Sequence, residues 1–213
     1  MPVSFTIAID GTFSSGKGTL ASRVAAHYGL PYLDTGKLYR AVAKRVMDTE
    51  IDPSDAAACA EQASAMNADE LVDPILKSGP IGVMASKIAV HPPVRKALFA
   101  FQQDFAAKGA VLDGRDIGTV ICPDAEVKLF VDAEPEEPAR RRHLELRGYG
   151  EDITYETVLA QLKERDARDS GRDIAPLKPA EDAHLLDTTN LSIERAVEVA
   201  ITMCDAILAA KSG

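Results

Sequence analysis

Cysteine and long apolar runs are scarce in this sequence of 213 residues. The three cysteines, Cys59, Cys122 and Cys204, lie far apart and form no CxxC spacing. Their number and spacing argue against a disulfide framework and a zinc site, and they favour a reducing compartment. No stretch approaches the length of a membrane span, and the first residues lack the basic and apolar segments of a signal peptide. We therefore predict a soluble, cytoplasmic protein without a membrane partner.

Positive charge is also in short supply, with 24 Lys and Arg against 33 Asp and Glu and a formal net charge of -9. A surface of this sign repels nucleic acid, and the sequence lacks the mixture of aromatic and basic residues found in nucleic-acid-binding proteins. We therefore predict no nucleic-acid partner, and any phosphate site must gather positive charge locally. The histidines have no metal-ligand spacing, so no metal-binding residues are predicted; they are His27, His91, His143 and His184.

Short apolar segments alternate with helical segments along most of the chain. Strands are predicted at 5–10, 31–34, 110–113, 127–132 and 184–187, and helices at 18–28, 38–47, 134–146, 155–169 and 193–209. Each strand segment is short and apolar enough for a parallel sheet buried on both faces. The alternation predicts an α/β fold: a doubly wound, five-stranded parallel sheet with helices on both faces.

The segment 53–108 interrupts this alternation, because it is rich in alanine, helical in pattern and without a convincing strand. We interpret it as a mostly helical insertion between the second and third strands of a single domain, whose core is formed by about 1–52 and 109–213. An insertion at this point lies over the carboxyl edge of the sheet, where ligands bind in folds of this kind.

The most informative motif is Gly11-Thr-Phe-Ser-Ser-Gly16-Lys17, which follows the first strand and opens the first helix. It fits G-x-x-x-x-G-K in the strand–loop–helix context that a phosphate-binding loop requires, and so predicts a P-loop NTPase fold. An ordinary glycine-rich turn is the alternative. Gly18 stands where the general motif has Ser or Thr. The predicted contacts to the donor nucleotide are Gly11, Thr12, Phe13, Ser14, Ser15, Gly16, Lys17, Gly18 and Thr19.

Charged residues lie at the ends of two other strands. Thr35 and Arg40 follow the second strand, where they could hold an acceptor phosphate or form an ordinary helix cap with a surface arginine. Asp113-Gly-Arg115-Asp116 ends the third strand, where charges are costly to bury unless they are paired or contact a ligand. The alternative interpretation of Arg115 is a structural ion pair with an aspartate.

Arginines are concentrated late in the chain. Arg140, Arg141 and Arg142 are consecutive, and Arg165, Arg168, Asp169 and Arg172 are spaced to share one face of a helix. Such arginines could stabilise the charge of a transferring phosphoryl group. A solvated helix with internal salt bridges is the alternative.

Four blocks together resemble the bacterial cytidylate kinases, from near residue 5 to about residue 200. They are Ile9-Asp-Gly-Thr-Phe-Ser-Ser-Gly-Lys-Gly-Thr19, Tyr32-Leu-Asp-Thr-Gly-Lys-Leu-Tyr-Arg40, Leu112-Asp-Gly-Arg-Asp-Ile-Gly-Thr119 and Lys163-Glu-Arg-Asp-Ala-Arg-Asp-Ser-Gly-Arg172. The resemblance implies transfer of a phosphoryl group from ATP to CMP or dCMP, assisted by Mg²⁺, in a monomer. In two places the chain differs from the family pattern: residues 67–80 are too short for the usual small β-unit, and Phe13 replaces a small residue.

The resemblance also implies a role for individual residues. The catalytic set is expected to be Lys17, Arg115, Arg141, Arg165 and Arg172. Arg140, Arg141 and Arg142 are expected to contact ATP from a lid at about 140–172. Thr19 is expected to assist Mg²⁺ directly or through water. The expected acceptor contacts are Thr35, Arg40, Ser86, Arg95, Asp113, Arg115, Asp116, Arg165, Asp169 and Arg172.

Two alternative functions remain open at this point. One is a P-loop kinase for another nucleoside monophosphate or for a small metabolite. The other is a nucleotide-binding regulator without turnover, although a chain that keeps Lys17 and these arginines argues against loss of catalysis.

Overall fold

The computed structural model describes residues 5–13 and 15–212 of the chain. Its sheet has five strands, β1 (Ile7–Gly11), β2 (Tyr32–Asp34), β3 (Val111–Gly114), β4 (Val127–Asp132) and β5 (His184–Asp187). The strand order is β2-β3-β1-β4-β5, and β1 pairs in parallel with both β3 and β4. The predicted five-stranded parallel sheet is therefore confirmed.

Eight α-helices connect and cover the strands within the described residues. They are α1 (Lys17–Tyr28), α2 (Thr35–Asp48), α3 (Ala56–Ser64), α4 (Gly79–Ile88), α5 (Pro92–Ala106), α6 (Glu136–Gly148), α7 (Tyr155–Ser170) and α8 (Ile193–Ser212). Two 3₁₀ turns, Ala68–Val72 and Pro74–Lys77, precede α4, and a π-helical turn, Ile117–Ile121, follows β3. No helix in the described chain is both long enough and apolar enough to cross a bilayer.

The central strand β1 is completely buried, which explains why its first three residues, 7–9, are apolar. Ile7 and Ile9 pack with Leu20 and Val24 of α1, and Ala200 of α8 belongs to the same core. At the end of β1, a Cβ on Gly11 would lie 1.9 Å from the carbonyl oxygen of Val131. Only glycine permits this close approach of two backbones, so the loop that follows starts at a defined point.

The edge strand β5 differs from its prediction. It was expected to be buried on both faces, but only Leu186 is buried, and Leu185 is 68% exposed. The reason is its position in the sheet, because among the described residues β5 pairs only with β4. An edge strand has one open side, and this position depends on the strand order rather than on the local sequence.

The chain folds as two compact units, one formed by residues 1–33 and 103–213 and the other by residues 34–102. The first unit holds the core of the sheet with α1, α6, α7 and α8. In the second unit α2 packs against α3 and α4, with Leu38, Val42 and Val46 fully buried. Residues 35–102 are described in full and contain no strand, which confirms the mostly helical segment expected between the second and third strands.

Candidate active site

The glycine-rich loop at residues 11–17, called the phosphate loop below, leads into the start of α1. Gly16 is the residue before the helix and has φ 83°, a left-handed conformation that glycine adopts without strain. Lys17 is 7% exposed, and its Nζ donates a hydrogen bond of 3.2 Å to the carbonyl oxygen of Thr12. This hydrogen bond holds the amino group of Lys17 close to the loop backbone. It lies at the N-terminal end of α1, where the helix dipole is positive. Such an arrangement binds phosphate. Ser14, also predicted to contact the nucleotide, lies outside the described residues.

Side chains from neighbouring strands fix the two sides of this loop. The hydroxyl of Thr12 donates to Oδ1 of Asp132 at 2.9 Å, and the hydroxyl of Ser15 donates to the carbonyl of Thr12 at 3.0 Å. Thr188 follows β5 directly, and its Oγ1 lies 3.0 Å from the carbonyl oxygen of Ser15 and 3.0 Å from that of Asp132. Thr188 was not predicted. A threonine at the carboxyl end of a strand was the available signal.

The three consecutive arginines of α6 have different surroundings. A Cβ added at Gly16 would lie 3.3 Å from Nη1 of Arg141, so this guanidinium group is beside the loop. Arg140 is exposed and approaches Glu137 at 3.8 Å, whereas Arg142 pairs with Glu145 at 2.7 Å. Adjacent residues of a helix point in different directions, and the structure brings Arg141 to the phosphate loop.

Asp169 joins three of the predicted arginines. Its Oδ2 accepts a hydrogen bond of 3.0 Å from Nε of Arg115, and Nε of Arg165 lies 3.9 Å from the same oxygen. Its Oδ1 lies 3.3 Å from Nη2 of Arg172. Burial alone would raise the pKa of this carboxyl, but the three guanidinium groups outweigh burial and lower it. Asp169 is therefore an ionised carboxylate within a cluster of positive charge.

The helix face predicted for this cluster is only partly observed. α7 ends at Ser170, so Arg172 lies beyond the helix, where its Nε donates to the carbonyl oxygen of Asp169 at 3.2 Å. Arg168 pairs with Glu164 rather than with Asp169. The spacing of four residues therefore predicted correctly that Arg165 lies beside Asp169. The spacing also predicted Arg168 on the same face, but Arg168 pairs with Glu164 instead.

Two aspartates are buried at the end of β3 and just after it, and the first of them lies near the start of α1. Asp113 is 4% exposed, and a Cβ added at Gly18 would lie 3.4 Å from its Oδ2. Asp116 is 5% exposed and stands directly before the π-helical turn. Buried carboxylates at a strand end indicate either internal pairing or a ligand contact.

Asp10, predicted only to end the first strand, holds the backbone after Asp116. Its two carboxylate oxygens accept hydrogen bonds of 2.8 Å from the N–H groups of Ile117 and Gly118. Burial raises the pKa of Asp10 to about 6, against the opposing effect of these two donors. Asp10 therefore fixes the conformation of the backbone that follows Asp116.

Phe13, unexplained by the sequence, contacts two consecutive residues of α7. The guanidinium carbon of Arg165 lies 3.9 Å from the centre of its ring, and that of Arg115 lies 5.8 Å away. The backbone N–H of Phe13 donates to Oδ1 of Asp166 at 2.9 Å. Burial raises the pKa of Asp166, while this hydrogen bond acts in the opposite direction.

In the helical unit, the predicted acceptor residues lie on three helices. Thr35 at the start of α2 and Ser86 on α4 are buried, and Arg95 on α5 is 9% exposed. Nη1 of Arg40 donates to the carbonyl of Leu76 at 2.6 Å. The guanidinium carbon of Arg95 lies 5.6 Å from the ring centre of Tyr39. Guanidinium and hydroxyl groups of this kind can bind an anionic, hydrogen-bonding ligand.

Comparison with known proteins places this architecture in a family. The fold is similar to the crystal structure of an uncharacterized protein from Eubacterium ventriosum, with a TM-score of 0.54 and 17% identity over 95% of this chain and 99% of that one. In sequence, the chain is 54% identical to a cytidylate kinase of Rhodopseudomonas palustris, over 96% of this chain and 98% of that protein. It is 50% identical to a cytidylate kinase of Rhizobium meliloti, over 98% of this chain and 100% of that protein. The family profile described as cytidylate kinase matches residues 7–206. The chain therefore belongs to the cytidylate kinase family.

Proposed function

We propose that this chain catalyses the in-line transfer of the γ-phosphoryl group of ATP to CMP and dCMP, forming ADP and the cytidine diphosphates. Family membership supports the reaction and the donor. One structural observation carries the assignment of residues: Arg115, Arg165 and Arg172 surround Asp169 in the compact unit that also holds the phosphate loop.

The donor nucleotide is assigned to the loop from Gly11 to Thr19. Its backbone N–H groups and the start of α1 provide partial positive charge for the β-phosphate, and Lys17 provides a full charge for the β- and γ-phosphates. Arg141, whose guanidinium group is beside Gly16, is the lid arginine best placed to contact the donor. Arg140 and Arg142 complete the lid at 140–172.

The reaction needs little covalent assistance from the protein. The phosphate of CMP is already an anionic nucleophile, so no general base is required. Catalysis therefore depends on positioning the two phosphates and on neutralising the charge that spreads over the transferring group. Arg115, Arg165 and Arg172 are assigned this second task. Three guanidinium groups and one carboxylate leave the cluster with a net charge of +2.

Asp169 is assigned the task of fixing these guanidinium groups before substrate binds. Arginine side chains are long, and ordering them at the moment of reaction would add to the barrier. A shared carboxylate orders them in the folded protein. It also lowers the mutual repulsion of the three positive charges, which would otherwise push them apart.

We propose that Mg²⁺ would bind together with ATP, near Asp113 and Thr19. The residues present fit this ion, because Asp113 is buried with Oδ2 beside Gly18 and Thr19 lies in the first turn of α1. Both offer the oxygen ligands that Mg²⁺ prefers, directly or through water. When bound, the ion neutralises phosphate charge; the protein's part is to hold the triphosphate in place.

The acceptor nucleotide is assigned to the residues that the family resemblance implies. Arg40 and Arg95 in the helical unit supply charge for the monophosphate, and Thr35 supplies a hydroxyl. Ser86 and Asp116 are assigned to the cytosine, because a buried carboxylate that accepts from an exocyclic amine discriminates against bases lacking it. The remaining acceptor contacts are assigned to Asp113, Arg115, Arg165, Asp169 and Arg172.

A coupled assay of ADP release tests the proposal. The purified protein receives ATP and Mg²⁺ with CMP, dCMP, UMP, AMP or no acceptor. We expect turnover with CMP and dCMP, much weaker turnover with UMP and AMP, and loss of at least about 100-fold in kcat for K17A. Turnover only with another acceptor contradicts the assignment of cytosine, and equal ADP release with and without an acceptor contradicts a kinase.

We also propose that the protein is cytoplasmic, in keeping with its three scattered cysteines, and that it is a monomer, as the family resemblance implies. Sedimentation velocity with and without CMP and ATP measures this directly. A single species at the mass of one chain supports the monomer, and a dimer whose dissociation abolishes turnover contradicts it.

A further inference from the structure

The aromatic residue within the phosphate loop makes a contact that the proposed reaction does not explain. The ring of Phe13 faces the guanidinium group of Arg165, with 3.9 Å between the ring centre and the guanidinium carbon. This is a close approach, since cation–π contacts extend to about 6 Å. The side chain of Arg165 is 17% exposed, so water screens the contact little.

The side chain of Phe13 also packs against apolar residues. A small core formed by α6 and α7 includes Ala139, Leu146, Val158 and Leu162, and Phe13 is one of the half-buried residues packed on it. The ring therefore has apolar neighbours from the two helices and a cationic neighbour from α7. A smaller side chain at this position, or one without a ring, would keep at most one of these relationships.

The backbone of Phe13 is held by the same helix as its ring. Its N–H group donates to Asp166, which follows Arg165 in the sequence. The loop residue is thus attached at two points to consecutive residues of α7, and its orientation toward Arg165 is defined. The contact of Arg165 with Asp169, at 3.9 Å, is longer than those of Arg115 and Arg172, at 3.0 and 3.3 Å.

We propose that Phe13 is a positioning residue, whose ring holds the guanidinium group of Arg165 beside the phosphate loop. This inference rests on the role proposed for Arg165 in phosphoryl transfer. Because Phe13 belongs to the loop that is assigned to the donor, its ring links the position of Arg165 to that of the donor phosphates. Arg115, whose guanidinium carbon is 5.8 Å from the ring centre, is held more weakly by it.

Two substitutions separate the ring face from simple apolar packing. F13L keeps an apolar side chain of similar size but removes the aromatic face, whereas F13Y keeps the aromatic face. We expect F13L to lower kcat by about tenfold, with a smaller change in the KM for CMP, because the lost orientation affects the transition state. F13Y, which keeps the ring, is expected to have a kcat at least about fivefold above that of F13L. The midpoints of urea unfolding of F13L and F13Y are measured alongside, so that loss of packing is recognised.

A double-mutant cycle tests the contact itself. F13L, R165A and the double variant are compared in kcat and, separately, in the free energy of unfolding. We expect the double variant to turn over no more slowly than R165A, and we expect the two substitutions to be coupled in unfolding. Independent effects in both measurements overturn the inference, as does a wild-type kcat in F13L. Coupling in unfolding together with a wild-type kcat in R165A instead contradicts the catalytic role proposed for Arg165.

Discussion

Arg115 and Asp169 are 54 positions apart in the sequence, and in the folded chain they form an ion pair of 3.0 Å with both side chains largely buried. One comes from the segment after β3 and the other from the last turn of α7. The pair connects the strand edge beside the phosphate loop to the helix that carries Arg165. The arrangement of the whole arginine cluster follows from it, because Asp169 is the carboxylate that all three arginines share.

Replacing the shared carboxylate should affect both stability and turnover. In D169N the three guanidinium groups lose their counter-ion, and we expect the free energy of unfolding to fall by about 3–5 kcal/mol, as for other broken buried pairs. We expect kcat to fall by about 10- to 100-fold, because the arginines are no longer fixed. Urea unfolding and the coupled assay measure the two effects.

The matched control for D169N is E164Q, which removes the exposed acidic partner of Arg168 on the same helix. We expect E164Q to change the free energy of unfolding by less than about 1 kcal/mol. If D169N and E164Q had equally small effects, the view that Asp169 organises the cluster would be wrong.

The buried carboxyl of Asp10 predicts a specific dependence of stability on pH. Burial raises its pKa from 3.8 to about 6, and the neighbouring charge of Asp116 adds to the effect. Between these two values the folded chain binds a proton that the unfolded chain has released, so this contribution to stability is lost as the pH rises through about 6. A shift of this size corresponds to roughly 3 kcal/mol.

Comparison with D10N isolates this contribution, because the amide does not titrate. The amide has only one acceptor oxygen for two N–H donors, so D10N is also less stable by an amount independent of pH. We expect the difference in unfolding free energy, wild type minus D10N, to decrease between about pH 4 and pH 7 and to be constant above. A difference that does not change with pH would show that Asp10 titrates normally.

The role proposed for Asp116 leads to a prediction about which nucleotide base the enzyme selects. If its buried carboxylate accepts a hydrogen bond from the amino group of cytosine, D116A loses that contact for CMP but not for UMP. We expect the ratio of kcat/KM for CMP to that for UMP to fall by about 10- to 100-fold. D124A, which removes an exposed aspartate beyond the same π-helical turn, is the control and should leave the ratio unchanged. An unchanged ratio in D116A would assign base selection to other residues.

Local sequence predicted the parts of the molecule that depend on neighbours along the chain. The apolar run that ends at Gly11 predicted the central strand, and the spacing of Gly16 and Lys17 predicted the loop and the start of α1. These features could be predicted because each depends mainly on residues that are adjacent in the sequence. The resemblance to a known family predicted that the charged blocks belong to one site. Local sequence could not predict this, because the blocks are far apart in the chain.

What the sequence did not predict depends on strand order and on contacts between distant segments. The exposure of β5 follows from its place at the sheet edge. The roles of Asp10 and Thr188 follow from backbone groups of other segments that meet them. Phe13 had no explanation until Arg165, more than 150 positions later, was found against its ring. These partners are far apart in the sequence, so neither hydrophobic periodicity nor motif spacing could predict the contacts.

The most direct test of the account compares two arginines of the same region. Arg172 contacts Asp169, whereas Arg168 pairs with the exposed Glu164. The kcat for phosphorylation of CMP is measured for R172A and for R168A under saturating ATP and Mg²⁺. We predict a loss of at least about 100-fold for R172A and less than about twofold for R168A. Equal effects of the two substitutions, or a wild-type rate in R172A, would contradict the claim that the arginines gathered on Asp169 stabilise the transferring phosphoryl group.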